Sequence, residues 1–483
     1  MTEQQGSNAE KEDAGGEREA GIRSFVEAAL PSTIADLTDL VRIPSVSWDS
    51  FDPAEVARSA EAVAALFEGT GVFDEVTVAR ASTDDGTPGQ PAVLATRAAR
   101  NGRPTVLLYA HHDVQPPGAD SDWQSPPFEP TVRGDRLYGR GAADDKAGVV
   151  SHVAAVQALA DSYGDELELG LVVFIEGEEE FGSRSFADFL ETHRQQMAAD
   201  VIIVADSDNW NTDTPALTIS LRGNVTFKLT VSTLAHASHS GMFGGAAPDA
   251  MLATIRLLDS LWNADGSVAV DGLTSSGETV PDSPEETFVA DAGLLPGVTP
   301  IGSGPILSRL WAQPSITVTG IDAPTVVNAS NTLSPQIAVK ISARVAPGQD
   351  ARQAYAAIDA HLRAHAPFGA HLDITDVDTG QAFLVDTSGW AVAEAKRAMA
   401  DGWGVQPVET GVGGSIPFIA DLVRVFPSAQ ILVTGVEDPD TRAHSPNESL
   451  HLGVFKRAIL TEALLLSRLA EKSLAELSSP SAE

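Results

Sequence analysis

Apolar residues recur every three or four positions from Ile22 through FVEAALPSTIADLTDLVRI, and again from Ala54 to Gly71 in AEVARSAEAVAALFEGTG. This spacing predicts two amphipathic helices at the start of the folded part. Residues 1–20 are polar, acidic and too poor in apolar side chains to offset the entropy of ordering, which predicts a tail. Short β-rich runs then alternate with helical ones: AVLATRA, TVLLYAHHDV, a helix in KAGVVSHVAAVQALADS, LELGLVVFIE, a helix near SFADFLETHRQQM, and DVIIVAD. Near-continuous apolar strands separated by helices point to a mostly parallel sheet covered on both faces.

From about Thr218 the texture changes. ISLRGNVTFKLTVST alternates like a half-buried strand, DAMLATIRLLDSLWN reads as a helix, and a Gly/Pro/Ser-rich insertion occupies roughly 264–305. SITVTGI, PQIAVKISARVAP, a helix in ARQAYAAIDAHLRAH and HLDITDV complete a small α+β sandwich ending near Phe383. WAVAEAKRAMADGWG, SIPFIADLVRVF, AQILVTGV and a long final helix return to the α/β texture. The expected layout is an acidic tail (1–20), an α/β domain in two parts (21–217 and 384–475), an inserted α+β domain (218–383) and a short tail (476–483).

The chain has 483 residues, is 43% hydrophobic, and carries 67 Asp plus Glu against 31 Lys plus Arg, a formal charge of −36. That length accommodates two or three domains, and that charge argues against a nucleic-acid binder, which needs a basic footprint. The absence of cysteine removes disulfides, thiolate zinc sites and cysteine nucleophiles, so a metal would be held by nitrogen and oxygen. The N-terminal stretch lacks a basic flank followed by an apolar core, and no run approaches the roughly 18 apolar residues of a membrane span, so a cytoplasmic protein without membrane association is expected.

Chemistry-bearing residues follow the apolar runs, where parallel strands would deliver side chains to the carboxyl edge of a sheet. His111 and Asp113 close TVLLYAHHDV, and period-two geometry puts them on one face. Glu176, Glu178, Glu179 and Glu180 follow LELGLVVFIE; Asp206 and Asp208 follow DVIIVAD; His444 follows AQILVTGV; Asp144 and Asp145 lie in the Gly-rich turn GRGAADDKAG. Carboxylates gathered at one sheet edge repel one another unless a cation neutralises them. Two divalent ions would balance three carboxylates and one hydroxide, and mixed nitrogen and oxygen ligands suit zinc, with manganese or cobalt as substitutes. Spacing alone does not choose between Glu178 and Glu179, or between Asp206 and Asp208. His112 is read as an ordinary histidine.

The strings YAHHDVQP, YGRGAADDKAG, EGEEEFGS, SLRG, SHSGMFGG, GGSIP and RAHSPNE, in this order across about residues 22–470, resemble those of the co-catalytic zinc peptidases that include carnosinase, cytosolic nonspecific dipeptidase and bacterial glutamate carboxypeptidase. The first three look most like the dipeptidase branch. The resemblance implies two zinc ions, one on His111 and Asp206, the other on Glu180 and His444, with Asp144 bridging and the Asp144–Asp145 peptide cis. It implies Asp113 as the carboxylate that orients His111, and Glu179 as general base toward a metal-bridging water. From the inserted domain it implies His239 as the group that polarises the scissile carbonyl, reaching a partner subunit's site across a homodimer. Arg344 would hold the substrate carboxylate, and Ser415, Asn331 and Thr332 would add hydrogen bonds. The family often carries Glu directly before GGS, where this chain has Val412.

The expected activity is metal-dependent hydrolysis of dipeptides or short peptides. One rival keeps the same metals and base but cleaves N-acyl amino acids; another, of a different class, is a binding protein that keeps the fold without turnover. Walker, G-x-S-x-G and H-E-x-x-H patterns are absent, which disfavours phosphate-loop, serine-hydrolase and single-zinc peptidase chemistry.

Overall fold

The computed structural model describes residues 2–277, 279–414 and 417–478. The chain forms two compact units, one of residues 1–219, 385–409 and 421–483, the other of residues 220–384 and 410–420.

The first unit is built on a mixed sheet whose strands run, in spatial order, Glu75–Ala79, Ala92–Arg97, Gly170–Glu176, Thr105–His111, Val201–Val204, Gln430–Val433 and Ala216–Leu221. The four central strands, from Gly170–Glu176 to Gln430–Val433, are mutually parallel, and the edges are antiparallel. Both faces of the centre are covered, which is why these strands read as unbroken apolar runs. On one face Val106, Leu108, Ala110, Leu171, Val173 and Ile175 join the core formed with the helices Lys146–Tyr163 and Leu452–Glu471. On the other, Tyr109 and Phe174 meet Phe186, and Phe174 meets Phe189, both from the helix Phe186–His193. Period-two alternation assigns neighbouring residues to opposite faces. In register, His111 stands opposite Glu176, so two parallel strands end flush and their following loops leave the same edge. The edge strand Glu75–Ala79, too short and polar to register in the pattern, was not expected.

The expectation of a tail over residues 1–20 is corrected: the first helix spans Thr2–Val41. Composition missed it because its N-terminal part docks through charge. Arg18 lies 3.5 Å from both Glu166 and Glu471 and stacks over the Tyr163 ring, and Glu19 meets Arg468 at 2.8 Å. At the other end a capping box of Ser473 and Glu476 opens a short helix, Leu474–Leu477, whose last two residues fall in the segment expected as a tail from 476.

The second unit is an antiparallel sheet ordered Ser315–Asp322, Gln336–Val345, Gly223–Ser232 and His371–Gly380. Its alternating strands bury Val225, Phe227, Leu229, Val231, Ile337, Val339 and Ile341 against Ala253 and Leu257 of the helix Ala250–Asp259 and Ile358 and Leu362 of the helix Ala351–Ala364. This is the expected α+β sandwich. No described helix is long and apolar enough to cross a membrane.

Candidate metal centre

Five segments of the first unit meet at the carboxyl ends of the parallel strands. His111 is the last residue of its strand. Glu179 and Glu180 lie in the loop after Gly170–Glu176, and Asp206 lies just beyond Val201–Val204. Asp144 sits in the turn before the helix Lys146–Tyr163, and the Asp144–Asp145 peptide is cis. His444 sits in a loop with φ +60°, the left-handed region.

Asp144 is the junction. Its Oδ1 lies 3.1 Å from His111 Nε2 and its Oδ2 lies 3.0 Å from His444 Nε2. His444 Nε2 is also 3.2 Å from Glu180 Oε2, and His111 Nε2 is 4.0 Å from Asp206 Oδ1. Two sets of donors result, His111 with Glu179 and Asp206, and Asp144 with Glu180 and His444, each with its atoms within 4.8 Å of one another.

Burial makes this gathering of acids unfavourable without a counter-charge. It pushes the Asp206 carboxyl up to about 6 against the pull of His111, and raises Glu180 to about 7, with Asp144 adding to the rise. Glu179 is raised well above the ordinary range, again chiefly by burial. Asp144 is held low in spite of its burial, because His111 and His444 both bond to it. Hydrogen bonds to Asp144 and Glu180 push the His444 imidazole up to about 10. A donor set of imidazole and carboxylate without thiolate, crowded with acids that lack a counter-charge, fits divalent ions of the zinc, manganese and cobalt kind.

Neighbouring groups have other tasks. Asp113, fully buried, accepts from Ser47 Oγ at 2.6 Å and from the backbone N–H groups of Glu179 and Glu180, both at 3.1 Å. Its carboxylate is therefore mainly a tie for the glutamate loop. The His111 ring rests first on the Asp113 carbonyl, at 3.1 Å from Nδ1, with the carboxylate at 3.5 Å. That contact leaves Nε2 facing Asp144. Glu178 is turned away, accepting from Ser185 N at 2.9 Å and from Arg184 Nη2 at 3.2 Å, so of the two candidates Glu179 faces the cluster. Asp208 pairs with Glu437 instead of joining the donor sets. His112, buried, has its Nε2 2.9 Å from the Pro91 carbonyl. Gly177 is required between them: a Cβ there would come within 2.2 Å of the Pro91 oxygen and 2.9 Å of His112 Nε2.

In the second unit, the exposed His239 lies in the two-residue strand Ser238–His239 and faces Thr332 in register, its Nδ1 accepting from Gly241 N at 3.0 Å. The Asn331 carbonyl accepts from Ser240 N at 2.9 Å. Arg344 lies on Gln336–Val345, opposite Ser315 on one side and Asn224 on the other. Ser415 lies outside the described residues. Arg222, quoted in the sequence only within SLRG, is buried and donates from Nε to the Gly413 carbonyl at 3.1 Å and from Nη1 to Ser315 Oγ at 3.3 Å. Its backbone N–H donates to the Val412 carbonyl at 3.3 Å, so this contact uses main chain and is indifferent to the side chain at 412. Sequence reasoning also assigned no part to Glu448, although RAHSPNE was in view; nothing in spacing separates a structural Glu from a solvated one.

A profile of peptidase family M20/M25/M40 matches residues 107–468. A cysteinylglycine-S-conjugate dipeptidase of Corynebacterium striatum is 34% identical over 368 residues, spanning 75% of this chain and 80% of that protein. A Cys-Gly metallodipeptidase of Schizosaccharomyces pombe is 26% identical over 465 residues, 91% of this chain and 96% of that one. Among solved structures, the di-peptidase Dug1p of Saccharomyces cerevisiae superposes with a TM-score of 0.73 at 23% identity, covering 94% of this chain and 99% of that one. Human carnosine dipeptidase 1 gives the same TM-score at 22% identity and the same coverage.

Proposed function

The chain belongs to peptidase family M20/M25/M40, and from that premise we propose that it is a metallodipeptidase that hydrolyses the peptide bond of dipeptides or short peptides, in the cytoplasm and as a homodimer. The relatives named as dipeptidases support the reaction class. One observation carries the site: a single carboxylate, Asp144, turns one oxygen to His111 and the other to His444.

His111 and Asp206 would hold one zinc ion, Glu180 and His444 a second, and Asp144 both. When bound, such ions lower the pKa of water and polarise a carbonyl oxygen. The rest is the work of side chains. Glu179, as carboxylate, takes a proton from the attacking water and, its carboxyl raised by burial, holds that proton until it passes to the leaving amine. Asp113 fixes the loop on which Glu179 stands. His239 donates a hydrogen bond to the scissile carbonyl oxygen, in the partner subunit's site. Arg344 holds the terminal carboxylate through its planar fork, and Asn331, Thr332 and Ser415 orient the peptide. A clamp on a terminal carboxylate favours a short substrate.

The test is a pair of variants. Glu179→Gln is expected to keep its metal and lose about 10²–10⁴-fold in kcat, whereas His444→Ala loses metal. Normal turnover by Glu179→Gln would refute the base. Hydrolysis of Ala-Ala should exceed that of N-acetyl amino acids; the reverse preference selects the deacylase reading.

A further inference from the structure

Asp144 reaches both histidines only if its turn, residues 139–145, holds one shape, and that turn lies between a strand and a helix with little regular pairing of its own. Its polar groups converge on Glu448, which is completely buried. Oε1 accepts from the N–H groups of Ala143 at 3.1 Å and Asp144 at 3.2 Å. Oε2 accepts from Gly141 N at 3.2 Å and from Arg140 Nη1. The Glu448 carbonyl accepts from Gly139 N at 3.1 Å. The placement follows from the antiparallel pairing of Ser449–His451 with Arg136–Tyr138, in which Ser449 faces Tyr138, so the preceding residue falls beside the turn. His444 stands four residues earlier on the same segment, and Arg140 Nη2 also reaches the Ser445 carbonyl at 3.4 Å.

We propose that Glu448 is a positioning residue that sets the affinity for both metal ions together, by holding the turn that aims Asp144. The inference rests on the reading of Asp144 as the bridge. Four donors around one carboxylate use its full acceptor capacity, and they include a charged guanidinium. An amide in its place turns an NH2 group toward two of the donors and leaves buried N–H groups unpaired, which loosens the turn. Because Asp144 serves both ions, the loss of Glu448 weakens both, while the loss of His444 weakens one.

The experiment measures zinc affinity and stoichiometry, by chelator competition on protein stripped of metal, for the wild type, Glu448→Gln, Glu448→Asp and His444→Ala. Arg468→Met, which breaks the ion pair of Arg468 with Glu19 away from the turn, is the structural control, and thermal stability is followed with and without zinc. Glu448→Gln is expected to bind both ions about 10–100-fold more weakly, Glu448→Asp to fall between it and the wild type, and Arg468→Met to lose stability with zinc affinity unchanged. Should Glu448→Gln not fold, Glu448→Asp carries the same comparison. Unchanged affinity in the Glu448 variants, loss confined to one ion, or an equal loss in Arg468→Met overturns the proposal. A wild type that binds no zinc overturns the metallopeptidase reading as well, whereas a wild type with two ions and unaffected Glu448 variants overturns this inference alone.

Discussion

At the scale of single residues, the centre separates groups placed to hold cations from groups that hold those in place. Asp113 belongs to the second kind: it ties Ser47 to the amides of Glu179 and Glu180, and its carbonyl steadies the His111 ring. Asp113→Ala is therefore expected to displace the proposed base Glu179 and the proposed ligand Glu180 at once, lowering kcat and metal affinity each by about 10–100-fold with little change in KM; steady-state kinetics and metal analysis check this. Loss of metal with a wild-type kcat at saturating zinc would show that Asp113 serves only the imidazole. The identities of His111, Asp144, Glu180, Asp206 and His444 as candidates were legible because each follows an apolar run or a Gly-rich turn. The choice of Glu179 over Glu178 was not legible from spacing. It depends on Ser185 and Arg184 turning Glu178 aside, a contact between residues already folded into a loop.

At the scale of elements, the strand Thr105–His111 is steadied by a polar link through the helices behind it. His152, completely buried in the helix Lys146–Tyr163, has Nε2 3.0 Å from the Tyr109 carbonyl and Nδ1 2.7 Å from Glu462 on the final helix. Glu462 raises the His152 pKa above its ordinary 6.5 in opposition to burial. A raised pKa in the folded state contributes stability that is complete below the unfolded value and fades as pH climbs through the folded one. His152→Gln is thus expected to cost on the order of 3 kcal/mol at pH 6 and distinctly less at alkaline pH. Denaturant melts of both proteins at the two pH values check this, and a penalty that grows with pH would contradict the sign. The helices themselves were readable from their spacing. The first one was not in its N-terminal part, since Arg18 and Glu19 bind it to Glu166, Glu471 and Arg468, residues far along the chain.

At the scale of the whole molecule, each unit has its own core, and the second is an insertion in the first. If His239 serves the partner's site, Glu179→Gln and His239→Ala proteins should each be inactive alone, and mixed dimers should recover turnover, since one of their two sites has both groups intact. Co-purified mixed dimers with two distinct tags test this. Absence of recovery would confine His239 to its own subunit or remove it from the reaction.

What the order of residues settled was periodicity and chemistry. Unbroken apolar runs had to become buried parallel strands, alternating ones a half-buried sheet, and acids and imidazoles at the ends of the runs had to collect along one edge, because strand direction delivers them there. What only the folded chain decided was the division of labour among neighbours. Which carboxylate is turned inward is settled by contacts within one folded loop, which is spent on backbone amides by segments some 66 residues apart, and how Glu448 comes to lie beside Gly139 by segments about 300 residues apart, and no local pattern encodes contacts of that kind.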